Sequence, residues 1–408
     1  MFPRNSHLSA ESNVGPSSGP VTIGLERCLA DPPEVLRGAA FGLLSNQASV
    51  DAGFQLAHAL LARRFPGRLK ALFGPQHGFW SQQQDNMIET PHGRDRELDV
   101  SVHSLYADQR KPTPDMLAGL DCLVIDLQDA GTRVYTFVWT VVHCMQACAA
   151  AGVPVLVLDR PNPLGGIAVE GPRLSPGFES FVGLYSVPMR HGLTMAEMAV
   201  YLHRRMAIGV DLHVAKMDGW RRAMSWTDTG RVWVAPSPNL PRIEGVDVYP
   251  GQVLLEGTNL SEGRGTTLPF EVCGAPFIDS RRLLDALERF ELPGVAFRPV
   301  QFEPTFQKWQ GVNCGGVCLH VLDRRRFTPF RTTLALMACV KRLWPREFQW
   351  RQPPYEYEHV RMPIDILAGS DAVRQAIDGD AEPEEINALA AVPELAWWSD
   401  VTDCLLYA

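Results

Sequence analysis

From Val21 onward, short apolar runs alternate with segments of helical period. AAFGLLSN (39–46), LKALFGP (69–75), CLVIDLQ (122–128) and PVLVLDRP (154–161) have strand length, whereas FQLAHALLARRF (54–65) and FVWTVVHCMQACAAAG (137–152) are long enough for helices. This alternation predicts an α/β fold, a parallel sheet covered on both faces. Thr194, with Glu197 three positions on, predicts an N-cap for a helix over TMAEMAVYLHRRM, and DLHVAKM then reads as a further strand. Past Pro269 the pattern changes: VAFRPVQFEP and GVCLHVLD read as antiparallel strands and RTTLALMACVKRLW as a helix. The expected organisation is an α/β domain over 21–269 and a smaller α+β domain over 270–408. Residues 1–20, rich in Ser, Gly, Pro and Asn, read as a disordered leader.

Each predicted strand of the first domain ends in polar residues: Ser45 and Asn46, Gln76 and His77, Asp126 with Gln128 and Asp129, Asp159 with Arg160 and Asn162. Ligands of open α/β sheets bind beyond the carboxyl ends of the strands, so four segments deliver polar groups to one rim. Arg133 and Tyr135 follow in DLQDAGTRVYTF, where the next helix begins and backbone N–H groups favour anions. His77-Gly78 and His191-Gly192 each place an imidazole before a residue free to take positive φ, suited to a ligand oxygen or to acid/base work. The long segment 233–267 mixes Pro, Gly and polar residues, and loops of that length are commonly functional. Within it EGTNLSEGRGTT fails as a nucleotide-binding P-loop, because five residues separate Gly257 from Gly263 and Arg264 stands where a Lys is needed. What remains there is two carboxylates, Glu256 and Glu262, and an arginine, a set suited to sugar hydroxyls or a carboxylate.

Composition narrows the partners. The formal charge of -8 and the absence of any long Lys/Arg block remove the electrostatic footprint of a nucleic-acid binder. No apolar run reaches membrane-spanning length, and the N-terminus has no apolar signal core. Nine scattered cysteines, many within apolar runs, suit a reducing compartment, so a cytoplasmic location is expected. The Cys144/Cys148 and Cys314/Cys318 pairs lack further ligands of zinc spacing and read as core thiols, and the tryptophans read first as core aromatics.

The ordered motifs LFGPQHGF, DLQDAGTRVYTF, VLDRPNPLGG, FVGLYSVPMRHGLT, PSPNLP, VYPGQVLLEGTNLSEGRGTTLPFEVCGAP and GVAFRP span roughly residues 21–350 and together resemble the exo-β-N-acetylmuramidase family, the NamZ-like glycoside hydrolases of peptidoglycan turnover. The resemblance implies a Rossmann-like domain, a smaller C-terminal domain and an active site in the cleft between them. It also implies release of terminal N-acetylmuramic acid from the non-reducing end of cell-wall fragments, with neither metal nor organic cofactor. One position departs from the pattern: Gln76 stands where characterised members carry the glutamate taken as proton donor. An amide cannot donate a proton as an acid, so another carboxyl must serve or hydrolysis is lost.

The expected catalytic set is therefore Glu89 as replacement acid, Asp126 and Asp129 as carboxylates, and Gln76 and His77 as orienting groups. Asn46, Arg133, Tyr135, Arg160, Asn162, His191, Asn239, Glu256, Asn259, Glu262 and Arg264 are expected to bind the sugar. One of Arg133, Arg160 and Arg264 is expected to read the lactyl carboxylate of the substrate. The alternatives are a muropeptide-binding protein that has lost the acid and a metal-dependent hydrolase built on His77, Asp126 and Asp129.

Overall fold

Phe41–Ser45, Cys122–Asp126 and Val155–Leu158 are buried at every position. Such strands need cover on both faces, which only a central place in an α/β sandwich supplies. The computed structural model describes residues 19–85 and 87–408; of the leader expected over 1–20, all but Gly19 and Pro20 lies outside the described residues. Seven strands, β1 (Phe41–Ser45), β2 (Leu69–Gly74), β3 (Gly93–Asp95), β4 (Val100–Ser104), β5 (Cys122–Asp126), β6 (Val155–Leu158) and β7 (Leu212–Ala215), form one sheet in the order β3-β4-β2-β1-β5-β6-β7. β3 pairs antiparallel with β4, and the other pairings are parallel. Setting that edge strand aside, the parallel strands follow the Rossmann order, and the order reverses between β1 and β5.

The helix Phe137–Ala151 buries ten of its side chains and packs against the helices Pro114–Leu117 and Met195–Arg205. Trp139 is fully buried and its indole N–H donates to the Arg133 carbonyl at 2.8 Å, so the ring fills the core without an unpaired donor. Gly152 ends this helix at φ 68°, a conformation that costs a glycine nothing. The expected capping box stands at the start of Met195–Arg205: the Thr194 hydroxyl accepts from the Glu197 N–H, and the Glu197 carboxylate accepts from the Thr194 N–H.

The second layer holds β8 (Val272–Ala275), β9 (Val295–Phe302) and β10 (Cys314–Val321), antiparallel in the order β8-β10-β9. The helix Ile243–Gln252 packs against it, and Pro329–Leu343 packs in turn against that helix. They approach so closely at Gly251 that a Cβ there would lie 1.9 Å from the Pro329 carbonyl oxygen. Glu170, from the α/β half, caps the second helix: its carboxylate accepts the N–H groups of Phe330 and Arg331 at 3.2 and 2.9 Å. Four short helices between Pro363 and Val401 were not foreseen. None is longer than eight residues, too short for a clear period. The chain then returns to the first domain, where the Tyr407 hydroxyl donates to Asp159 at 2.6 Å. All nine cysteines are unpaired and buried. No helix among the described residues is long and apolar enough to cross a membrane.

Candidate active site

Beyond the carboxyl end of β2 the chain turns sharply, with His77 at φ 70° and Gly78 at φ 84°. A Cβ on Gly78 would lie 2.7 Å from the Thr90 methyl, so only glycine fits. The turn projects Gln76 and His77 into a cavity between the two domains. Gln76, His77, Tyr135, Asn239, Glu256 and Arg264, all singled out in the sequence, line it together. Its enclosed space is about 30 Å³, room for a water molecule or two.

Gln76 is held at both ends. Its Oε1 accepts the Thr136 hydroxyl at 2.6 Å, and its Nε2 donates to Glu356 Oε1 at 3.1 Å. Glu356 Oε2 accepts the Tyr106 hydroxyl at 2.8 Å. Burial pushes the Glu356 carboxyl up to about 7, helped by the nearby Glu256 charge and opposed by the Tyr106 and Gln76 hydrogen bonds. Among the described residues no cation stands within ion-pair distance of it. His77 places Nδ1 2.8 Å from the Gln83 carbonyl, and burial lowers it to about 4. The neutral ring therefore donates from Nδ1 and keeps Nε2 as an acceptor.

Glu256 sits in the opposite setting. Arg264 Nη1 is 2.7 Å from its Oε1, and the Tyr355 hydroxyl donates to its Oε2 at 2.5 Å. Arg264 also binds Glu262 at 2.9 Å, and Lys308 binds that second carboxylate at 2.8 Å. These two cations hold Glu262 down at about 2 despite its burial. One cavity thus contains a carboxylate in contact with a cation and a carboxyl that, among the described residues, has none within ion-pair distance, a division that sets acid and base apart.

The remaining expected residues lie elsewhere. Glu89 is exposed and not part of the cavity wall, which corrects its expected place as the cleft acid; its loop turns that side chain to solvent. Asp126 is fully buried in a bidentate pair with Arg160, at 2.6 and 2.8 Å, so each neutralises the other. Arg160 borders a second hollow of about 270 Å³ at the ends of β1, β5 and β6. Asp129 Oδ2 accepts the Gly131 N–H at 2.8 Å and lies 3.7 Å from His191 Nε2. Burial raises Asp129 to about 7 and lowers His191 to about 3, so that contact is not an ion pair in neutral solution. Arg133 is buried and donates to the Leu367 carbonyl at 2.9 Å, tying the domains together instead of facing the cavity.

Three asparagines act as clamps. Asn46 donates to the Pro236 carbonyl at 2.8 Å, fixing the segment that carries Ser237 and Asn239. Asn162 bridges the Leu193 carbonyl and the Leu164 N–H at 2.9 Å each. Asn259 binds the backbone at Glu347 and Gln349, away from the cavity. Asn239 lines the cavity while its amide donates to the Gln84 carbonyl. His77, Asp126 and Asp129 do not converge as ligands, and no group of three or more His, Cys, Asp or Glu suited to a metal ion occurs among the described residues.

Sequence reasoning missed Glu356, Tyr355, Thr136, Ser237, Tyr249 and Arg110. The signal for the first two was present in Tyr355-Glu356-Tyr357, an acid between aromatics directly after two prolines. Arg110 stacks its guanidinium 3.1 Å from the centre of the Tyr357 ring, next to Glu356. It has no carboxylate partner among the described residues, and its Nε is buried without a hydrogen bond.

Comparison with known proteins gives a consistent picture. The model of the exo-β-N-acetylmuramidase NamZ N-terminal domain matches residues 41–244, and that of the C-terminal domain matches 247–407. The peptidoglycan β-N-acetylmuramidase NamZ of Bacillus subtilis (strain 168) is 42% identical over 366 residues, covering 90% of this chain and 86% of that protein. Two crystal structures of DUF1343 family proteins from Bacteroides fragilis superpose with TM-scores of 0.85 and 0.74, at 30% and 27% identity. Each comparison covers 95% of this chain and 99% of the other.

Proposed function

Because the chain belongs to the exo-β-N-acetylmuramidase NamZ family, we propose that it is an exo-acting glycoside hydrolase removing N-acetylmuramic acid from the non-reducing end of peptidoglycan fragments. The reading places it in cell-wall turnover, acting on a small carbohydrate with neither metal nor organic cofactor. A cytoplasmic site of action belongs to the same reading, supported by nine buried thiols without a disulfide.

The observation that carries this reading is the meeting of Glu256 and Glu356 in one interdomain cavity, one paired with Arg264 and the other, among the described residues, in no ion pair. Glycosidic cleavage needs two such carboxyl groups, one to protonate the leaving oxygen and one to stay ionised beside the developing positive charge at C1. The rim at the carboxyl ends of the strands and the segment 233–240 then frame the sugar.

The lactyl carboxylate calls for a cation. Arg160 and Arg264 are already committed to acidic partners, and the Arg133 guanidinium is buried against the Leu367 carbonyl. Arg110, stacked on Tyr357 and, among the described residues, without an acidic partner, is the arginine best supported for that role.

Incubation with an aryl glycoside of N-acetylmuramic acid tests the reading. Release of the phenol is expected. Saturable binding without release favours the alternative that Gln76 raises, an amino-sugar-binding protein that no longer hydrolyses its ligand. Neither binding nor release overturns both.

A further inference from the structure

We propose that Glu356 is the proton donor of this site and that Gln76 is the positioning residue that aims it, the acid being supplied from the second domain and not from the turn after β2. The inference rests on the glycosidase reading and deepens it.

Backbone geometry supplies the first argument. Tyr355 and Glu358 exchange both backbone hydrogen bonds at 2.9 Å, closing a two-residue turn whose tip is Glu356 and Tyr357. Both tip residues take left-handed conformations, at φ 45° and 67°. Such turns favour Asn and Gly, and a glutamate and a tyrosine there store strain of about 1 kcal/mol or more each. The result is a glutamate presented on a tight tip, with its side chain buried in the cavity wall.

Hydrogen bonding supplies the second. Thr136 engages the carbonyl oxygen of Gln76, which leaves the amide nitrogen to face Glu356. Tyr106 engages the other carboxyl oxygen. Each oxygen of Glu356 thus has one fixed partner and one site left for a proton or a substrate oxygen. Burial near the Glu256 charge keeps the carboxyl protonated up to about pH 7, as a general acid at neutral pH requires. Glu256 is not placed for the same part, because Arg264 and the Tyr355 hydroxyl already engage its two oxygens.

In the step this implies, the Glu356 proton passes to the glycosidic oxygen while the bond from that oxygen to C1 breaks, its electron pair staying on the oxygen. The oxygen of a water molecule bonds to C1, and the proton that water releases restores the acid. One water is consumed, and two sugars with free hydroxyls leave.

Two variants test the assignment on two substrates, the N-acetylmuramyl-N-acetylglucosamine disaccharide and an aryl N-acetylmuramide with an acidic phenol. Glu356→Gln is expected to lower kcat on the disaccharide by at least about a hundredfold and on the aryl glycoside by less than about tenfold, since an acidic phenol departs with little protonation. Near wild-type rates on the disaccharide, or equal losses on both substrates, overturn it. Gln76→Glu places a second carboxyl beside the first, and two such groups share one proton. The alkaline limb of the pH-rate profile is then expected to move upward, and an unmoved limb overturns the positioning role. Failure of the wild type on both substrates instead overturns the glycosidase reading itself.

Discussion

Arg264 holds Nη1 2.7 Å from Glu256 Oε1, deep enough that both side chains are almost fully buried. The guanidinium also reaches Glu262, which Lys308 pairs from the other side, so Arg264 contacts two buried carboxylates at once. Removing one partner of a buried pair leaves an uncompensated charge, a loss of about 3–5 kcal/mol. Arg264→Met is therefore expected to lose stability on that scale in urea denaturation, with turnover abolished in whatever fraction folds. A variant as stable as the wild type contradicts the pairing.

Asp126 invites a different outcome from the one its strand-end position suggests. Its carboxylate is spent on Arg160 and does not border the cavity. Asp126→Asn is expected to cost about 3 kcal/mol in stability through the half-broken buried pair. The folded variant should retain kcat within about tenfold. Loss of at least about a hundredfold in kcat at unchanged stability would return Asp126 to the chemistry.

Glu89 is exposed, and substitutions at exposed positions away from special contacts change stability by about 0.5 kcal/mol or less. Glu89→Gln should hydrolyse the natural disaccharide at the wild-type rate. A variant active only on activated aryl glycosides would make Glu89 the acid after all.

Arg110 sets the preference between sugars if it reads the lactyl carboxylate. The wild type should favour the N-acetylmuramide over the N-acetylglucosaminide, and Arg110→Met should erase about tenfold or more of that ratio, the scale of one charge-assisted hydrogen bond. An unchanged ratio of kcat/KM between the two sugars in Arg110→Met removes Arg110 from recognition.

Much of the sheet was legible because fully buried strands write themselves as continuous apolar runs, and the Thr194/Glu197 cap was legible because its spacing is local. β3 was not, since its Gly93–Asp95 is three residues of partly exposed edge with no apolar signal. For the candidate site, the strand ends pointed to a rim where Gln76 and His77 line the interdomain cavity. The sequence could not show which charges cancel: Arg160 and Asp126 are 34 positions apart and pair completely. Nor could it show that Glu356, 280 positions from Gln76, faces that amide, because the contact depends on the second domain folding back and on a turn with two left-handed residues. Glu89, in the loop next to the motif, looked closer only along the chain.

The most direct test of the acid assignment is kcat/KM for release of N-acetylmuramic acid from the disaccharide, followed from about pH 5 to about pH 9. The active form carries the proton on Glu356, and burial raises that carboxyl to about 7, so the rate should be level below that point and fall as pH rises through it. The fall should approach tenfold per pH unit, and Glu356→Gln should abolish the limb along with most of the rate. A rate that stays level or climbs through pH 8 in the wild type contradicts a buried glutamic acid as the donor.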